Sequence, residues 1–584
     1  MGTISDKLMR IINTKEDIRQ ALISKGYDVP TSIPFKEYAK MILDLPCKVD
    51  SFPDIEGIVA RYSASGLTNE QMAANPVWVD KTGNGHDIQL KNFSWKGMSG
   101  VGGYEMNFNL WRNNVSSIPD ISMSTTTTSV SVSVGNSTYN NNLIYIHISN
   151  WDINKNHWLK VTSTYEDGDL AFIFYNDSNT KKIGLPANGY VNILAYPEFK
   201  GSYMYISTIS NKQGSFTIEQ LPLYPGALVF DGVDDYGVCD NFPILTKEKG
   251  YTVVALRQWI TYNPNAISAI ATNASDQSFN GAFTFENYNK GAEQTISYGA
   301  TQITLQYSKS PFSWQTTSKY NGVNIANGKK DATNSLVLGR SYPQRNEFAN
   351  FAIWELVFLD HDATEEELTK IKDYFVKTYP WLFPDKAWTV TGKTNEDEDR
   401  ATIANITGNG NDLVLSNFGF AEGSGYNEEG EYAGYLVTDG VDDKIISSIF
   451  KMGNDWTVIG DWELINTGKN DNAGIVKFDS IVIYNYNYNY NSMLINIKNG
   501  RNILIPDQNT VNAICSDGRI YSKDWKESIY NEETESTSKN FLTIGYSGNA
   551  YTKIAFKNLA IYPTVLSRED CIKAYNYLQT LKAK

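Results

Sequence analysis

Thr82–Phe93 reads TGNGHDIQLKNF and Thr407–Phe418 reads TGNGNDLVLSNF. One segment is written twice, and further blocks repeat in the same order. Val229–Gly237 (VFDGVDDYG) returns as Val437–Ile445 (VTDGVDDKI), Thr252–Ile260 (TVVALRQWI) as Thr457–Ile465 (TVIGDWELI), and Ser335–Ser341 (SLVLGRS) as Phe541–Ser547 (FLTIGYS). Ordered self-similarity over this length marks a duplicated structural unit. The spacing of the blocks is unequal. Gly85 to Asp231 spans 146 positions and Gly410 to Asp439 spans 29, so the first copy carries 146 − 29 = 117 extra residues. That is the size of a small domain, and a loop whose ends lie close together accepts one at little entropic cost. The expected organisation is an N-terminal element over 1–46, a first module over 57–107 plus 226–384, an inserted domain over 108–225, and a second module over 385–584.

Short alternating apolar runs make the chain mainly β. In the insertion these are Val130, Val132 and Val134, then Ile144, Ile146 and Ile148, then Leu170–Tyr175; in the first module, Thr252–Trp259 and Phe348–Phe358. Period-two alternation bounded by turn residues is the pattern of sandwich strands. The fold expected is two jelly-roll sandwiches, the first interrupted by a small inserted β-sandwich. Each copy closes with an amphipathic helix, opened by capping-box spacing at Thr364/Glu367 and by Ser567 with Asp570. Met1–Leu45 reads as a helical hairpin, placed either on its own chain or as an attachment and oligomerisation element.

The 584 residues carry a net charge of −14, which disfavours nucleic acid and anionic membrane as partners. No apolar run is long enough for a membrane span, so no membrane insertion is expected. Cys47, Cys239, Cys515 and Cys571 are scattered, which predicts free thiols in a protein assembled in a reducing cytoplasm. No export signal opens the chain.

Few side chains offer chemistry. Asp231, Asp234 and Asp235, with Asp439, Asp442 and Asp443, are candidate calcium ligands, because hard cations gather carboxylate oxygens. The same residues serve as turn formers that cap backbone amides, the preferred reading since calcium wants six or more oxygens. The TGNG segments lack the lysine and following helix of a phosphate loop and read as hairpin turns. Tyr484–Asn491 is YNYNYNYN. Tyr484, Tyr486 and Tyr488 are candidate glycan-stacking residues if their strand face is exposed, and core residues if it is not. Glu396–Asp399 is an acidic run suited to a solvated turn. Asp461 and Glu463 could share a strand face, with Arg257 and Trp259 taken as their counterparts in the first copy. His86, His147, His157 and His361 fall in no metal-ligand spacing. No catalytic constellation emerges, and the expectation is a protein that is not an enzyme and needs no cofactor beyond possible calcium.

The strand–DGVDD–strand order, with its terminal LGxS–strand–helix, resembles the laminin-G-like, concanavalin-A-like modules. Asn13–Ile42 resembles an N-terminal helical element of tailed-bacteriophage virion proteins, and Phe216–Gly237 resembles segments of structural proteins from phages and prophages of gut Bacteroidetes. The resemblance implies a virion fibre or appendage subunit of head or tail. It would be held to other virion proteins through the N-terminal helices, be trimeric as fibres are, and attach to host-surface glycan. A purely architectural decoration protein and a capsular depolymerase are the alternatives.

Overall fold

The structure, a computed structural model, describes Lys15 and 52–583 less a set of stretches, the longest being 308–331, 286–300 and 530–541. The hairpin expected over 1–46 therefore lies outside the described residues, Lys15 excepted. The remainder is mainly β, with every strand pair antiparallel. Among the described residues no helix is long and apolar enough to cross a membrane.

In the first copy, strand Asn350–Leu359 (NFAIWELVFL) is buried along nearly its whole length. It is flanked by Thr252–Trp259 on one side and by Leu228–Asp231 and Ile58–Ser63 on the other. A strand covered on both faces needs a continuous apolar run rather than alternation. Phe351, Ile353, Leu356 and Phe358 meet Ile88, Leu90 and Leu338 of a second sheet in one core, so the two sheets stack face to face. The opposite face carries Glu355, fully buried, which pairs with Arg61 at 3.2 Å. Tyr379 donates to Glu355 at 2.7 Å and Arg61 donates to Tyr374 at 2.8 Å. These bonds dock the closing helix, Glu365–Thr378, whose capping box at Thr364 and Glu367 is present as expected.

The second copy repeats this plan around Ile554–Tyr562, with eight strands in each sheet. Its second sheet is extended by Ile481–Tyr486, Ser492–Ile497 and Arg501–Ile505. A β-bulge falls between Leu256 and Arg257 in one copy and between Asp461 and Trp462 in the other. The register therefore makes Leu256 and Gln258, not Arg257 and Trp259, the counterparts of Asp461 and Glu463. The repeated blocks TVVALRQWI and TVIGDWELI, laid position on position, give the same correspondence, so the expected counterparts were one residue off. Such a shift reverses which face a side chain occupies.

Polar locks repeat more faithfully than the core. The Asn69 amide accepts from Val101 N and donates to Val101 O, and Asn395 does the same at Tyr426. The glycines before these positions, Gly100 (φ 138) and Gly425 (φ 157), admit no Cβ, which would stand 2.5 Å from the asparagine oxygen in each case. The TGNG segments join paired strands (Val77–Trp78 with Ile88–Lys91, Thr402–Ile403 with Leu413–Ser416) through left-handed glycines. They are hairpin connections.

Between Gly102 and Leu223 the chain builds its own two five-stranded sheets. One runs in the order Thr180–Leu185, Leu170–Tyr175, Tyr203–Thr208, Asn142–His147, Arg112–Asn113; the other Asn188–Ile193, His157–Ser163, Gly214–Gln220, Ser129–Val134, Ile121–Thr125. Val130, Val132, Ile144, Ile146, Phe172 and Ile206 share one separate apolar cluster. The alternation read in SVSVSV buries its valines.

Candidate functional site

The acidic turns come first, because three carboxylates in each lie within 4.8 Å of one another. Asp231 Oδ1 accepts from Val233 N at 2.8 Å and from Asp234 N at 3.4 Å, while Asp235 Oδ2 accepts from Asp231 N at 3.0 Å. The remaining Asp235 oxygen accepts from the Ser99 hydroxyl at 2.9 Å. Asp439 and Asp443 reproduce the bonds to backbone N–H. Ser424 faces Asp443 where Ser99 faces Asp235, at a looser geometry that leaves Oδ1 without a full hydrogen bond. Burial first, then the neighbouring Asp231, pushes Asp235 up to about 7, and burial pushes Asp443 up to about 6. A carboxyl raised by burial and engaged by its own turn is a poor calcium ligand, and three partly occupied carboxylates fall short of the six to eight oxygens calcium takes. The donor set fits a locked turn better than it fits calcium.

Tyr484 and Tyr486 lie in Ile481–Tyr486, hydrogen-bonded on both sides, with Tyr484 opposite Gly474 and Leu494 and Tyr486 opposite Ser492. Tyr488 lies outside the described residues, between that strand and the next. Of the YNYNYNYN run, Tyr484–Tyr486 lies in this strand, and 487–491 lie outside the described residues.

A different set of tyrosines forms a surface. On the outer face of the insertion's first sheet, Tyr145 stands directly across from Tyr205. Ring centroids lie 5.3 Å apart for Tyr145–Tyr203, 6.1 Å for Tyr145–Tyr205 and 5.5 Å for Tyr175–Tyr205. Tyr203 is 44% exposed and Tyr175 37%. Four rings thus run diagonally over three adjacent strands. Burial, followed by the three neighbouring phenols, raises the Tyr205 pKa. Arg112 pairs with Tyr145 from one edge strand, and Lys182 pairs with Ile173 from the strand at the other edge. Residues paired across strands share a face, so cations border the aromatic patch on both sides. Sequence reading missed this platform. Its signal was Tyr at the solvent-side positions of YMYIST, NLIYIH and LAFIFY, where attention fell on the buried ones.

No protein-family model matches the chain, and no curated protein matches it. Among solved structures, the chain is similar to the Trypanosoma rangeli sialidase in complex with sialic acid, at 9% identity over 80% of this chain and 85% of that one, with a TM-score of 0.24. It is also similar to the botulinum neurotoxin type G receptor binding domain (12% identity, 33% and 50% covered, TM-score 0.20) and to the botulinum neurotoxin serotype C1 binding domain (8%, 57% and 88%, 0.21). The expectation of a protein that is not an enzyme is overturned here, because an enzyme stands among the similar structures. Likeness at these TM-scores assigns no activity, substrate or family to this chain.

Proposed function

We propose that the chain is an attachment subunit of a virion fibre or appendage, and that its inserted sandwich lays host-surface polysaccharide across Tyr145, Tyr175, Tyr203 and Tyr205. In this reading the duplicated sandwiches are laminin-G-like jelly rolls that carry the insertion outward, and the N-terminal residues join a trimer to the virion. The virion assignment rests on the resemblances of Asn13–Ile42 and Phe216–Gly237. The glycan assignment rests on one observation, the four-tyrosine patch with Tyr175 and Tyr203 exposed and Tyr145 and Tyr205 half-buried. Pyranose CH faces pack on aromatic rings, and ring hydroxyls hydrogen-bond to the sugar. The bordering Arg112 and Lys182 suit acidic capsule.

The test is a glycan array and host-polysaccharide binding with the full chain and with Tyr175→Ala/Tyr203→Ala, two partly exposed positions whose truncation spares the core. At about 0.5–1.5 kcal/mol for each aromatic contact, the double variant loses roughly fivefold or more in affinity at unchanged melting temperature. A parent that binds no glycan, or a variant that binds as well as the parent, refutes the reading. A monomeric mass in solution refutes the trimer.

A further inference from the structure

We infer that a second ligand site, independent of the tyrosine platform, lies where the insertion meets both duplicated sandwiches, and that it takes a carboxylate-bearing sugar of the hexuronate type. The cavity there has a volume of about 610 Å³, within the range of roughly 300–1,000 Å³ typical of small-ligand pockets, which favour domain interfaces.

Most polar groups in its wall are already engaged. Gln220 accepts from Met106 N and donates to Met106 O and Thr127 O, all within the insertion. Gln258 donates to Thr580 at 3.0 Å, and Gln579 donates to Asp461 at 3.1 Å. Asn576 differs. It is 6% exposed and lines the cavity, and its side-chain amide has no hydrogen-bond partner among the described residues. The Asn576 amide opens onto the cavity and is free to hydrogen-bond a polar group there.

Charge selects the kind of group. Lys557 and Lys582 line the cavity, and neither has a carboxylate partner among the described residues; the Lys557 ammonium lies 5.6 Å from the Tyr435 ring. The nearby acids are spoken for. Glu105 pairs with buried His157 at 3.6 Å, and Asp461 is held by Tyr435 and Gln579 at 3.1 Å each. Two cations without carboxylate partners among the described residues favour an anion at this wall, against the chain's overall negative charge. Trp158 supplies the third element. Its half-buried ring packs edge-on against Tyr575 at 4.8 Å and contributes an aromatic wall of the cavity. An amide for hydroxyls, cations for a carboxylate and an aromatic wall for a CH face together describe an acid sugar.

The full chain would be titrated with glucuronate and galacturonate by calorimetry, with glucose and inorganic phosphate as comparisons. The expected result is saturable uronate binding, tighter than that of glucose or phosphate, weakened by salt and reduced at least tenfold in Lys557→Gln/Lys582→Gln. Uronate should raise the melting temperature of the parent and not of that variant. Asn576→Ala should weaken binding as well; should that buried change unfold the protein, the lysine variant carries the test. Tyr175→Ala/Tyr203→Ala should retain uronate binding, which separates this site from the platform. Absence of saturable uronate binding, equal binding of glucose, equal binding of phosphate, or an unaffected lysine variant would each overturn the inference.

Discussion

Replacing Asp235 by asparagine removes one buried charge while keeping the turn's hydrogen bonds, and its effect should depend on pH. In the parent, Asp235 Oδ2 accepts from Asp231 N; the other oxygen accepts from the Ser99 hydroxyl, which itself accepts from Ser94 N. The amide introduced by Asp235→Asn can accept from Asp231 N and donate to Ser99, at a cost of no more than one neutral bond, about 1 kcal/mol. Burial, then Asp231 and Asp234, lifts the parent carboxyl from 3.8 to about 7 despite the two hydrogen bonds that lower it. The folded protein thus holds this proton more tightly than the unfolded chain. The stabilisation is fully present below about 3.8 and is lost as pH rises through about 7, a total of about 4 kcal/mol. About 1.5 kcal/mol is already gone at about pH 5, and roughly 2.5 kcal/mol more goes by about pH 8.5. Native-state hydrogen exchange on Leu228–Asp231 and Tyr236–Cys239, in parent and Asp235→Asn at both pH values, isolates the term because other titrations cancel in the difference. The variant should gain on the parent by roughly 2.5 kcal/mol between the two. A difference that stays constant with pH refutes the reasoning. Bound calcium would expel the proton and reverse the trend, so the same pair measured with and without millimolar calcium tests the turn against a metal site.

Glu355→Ala removes the carboxylate that pairs with the buried guanidinium of Arg61, 4% exposed, and should destabilise the first copy by about 3–5 kcal/mol in denaturant titration. Burial works against the charged form of His361, but hydrogen bonds to Asp360 and Glu367 raise its pKa overall. Its contribution is therefore present below about 6.5 and lost as pH rises through the higher folded value; an imidazole NMR titration that falls in Glu367→Gln checks the cause. Asn69→Ala and Asn395→Ala each remove two hydrogen bonds to a strand, and should cost about 2 kcal/mol apiece in their own sandwich. Unequal costs would show that the repeated residues have taken on different roles.

What could be read from the sequence divides along a physical line. TGNG and DGVDD are visible because turn geometry demands particular residues at adjacent positions, and a lock of that kind tolerates little substitution. Asp80 and Asn405 show what is kept: the first accepts from Arg61 N and the second from Ala387 N, so acceptor position survives while charge does not. The bulges after Leu256 and Asp461 lie in strand register, which shows only once the strands pair. The tyrosine platform was invisible for a related reason. Tyr145, Tyr175, Tyr203 and Tyr205 come from three strands, and only antiparallel pairing brings them together. The YNYNYNYN run is conspicuous locally, yet only Tyr484–Tyr486 of it lies among the described residues.

The junction cavity arises from divergence between the closing helices. Counted from their caps, Thr364 and Ser567, Lys372 and Asp373 of the first helix correspond to Tyr575 and Asn576 of the second. The first pair is exposed; the second is buried, with Tyr575 against Trp158 of the insertion. The helix Arg568–Thr580 buries Cys571, Ile572, Ala574, Tyr575, Tyr577 and Leu578, far more of its circumference than its counterpart, which buries Ile371, Tyr374 and Phe375. A helix apolar on several faces needs more than one partner, and here the insertion supplies the second. Among the described residues the first helix has no such neighbour, and its outer face carries Lys372 and Asp373. Docking also differs: Arg61 and Glu355 tie the first helix to its sheet, whereas Asp461 reaches Gln579 and Asn558 reaches Leu578 in the second. The residues that depart from the repeat on this helix are therefore those that bind the insertion and line the cavity. Duplication alone would have left that face to solvent; the insertion covered it. The incomplete fit between them left a space lined by the Asn576 amide and by Lys557 and Lys582, none of which has a hydrogen-bonding or carboxylate partner among the described residues.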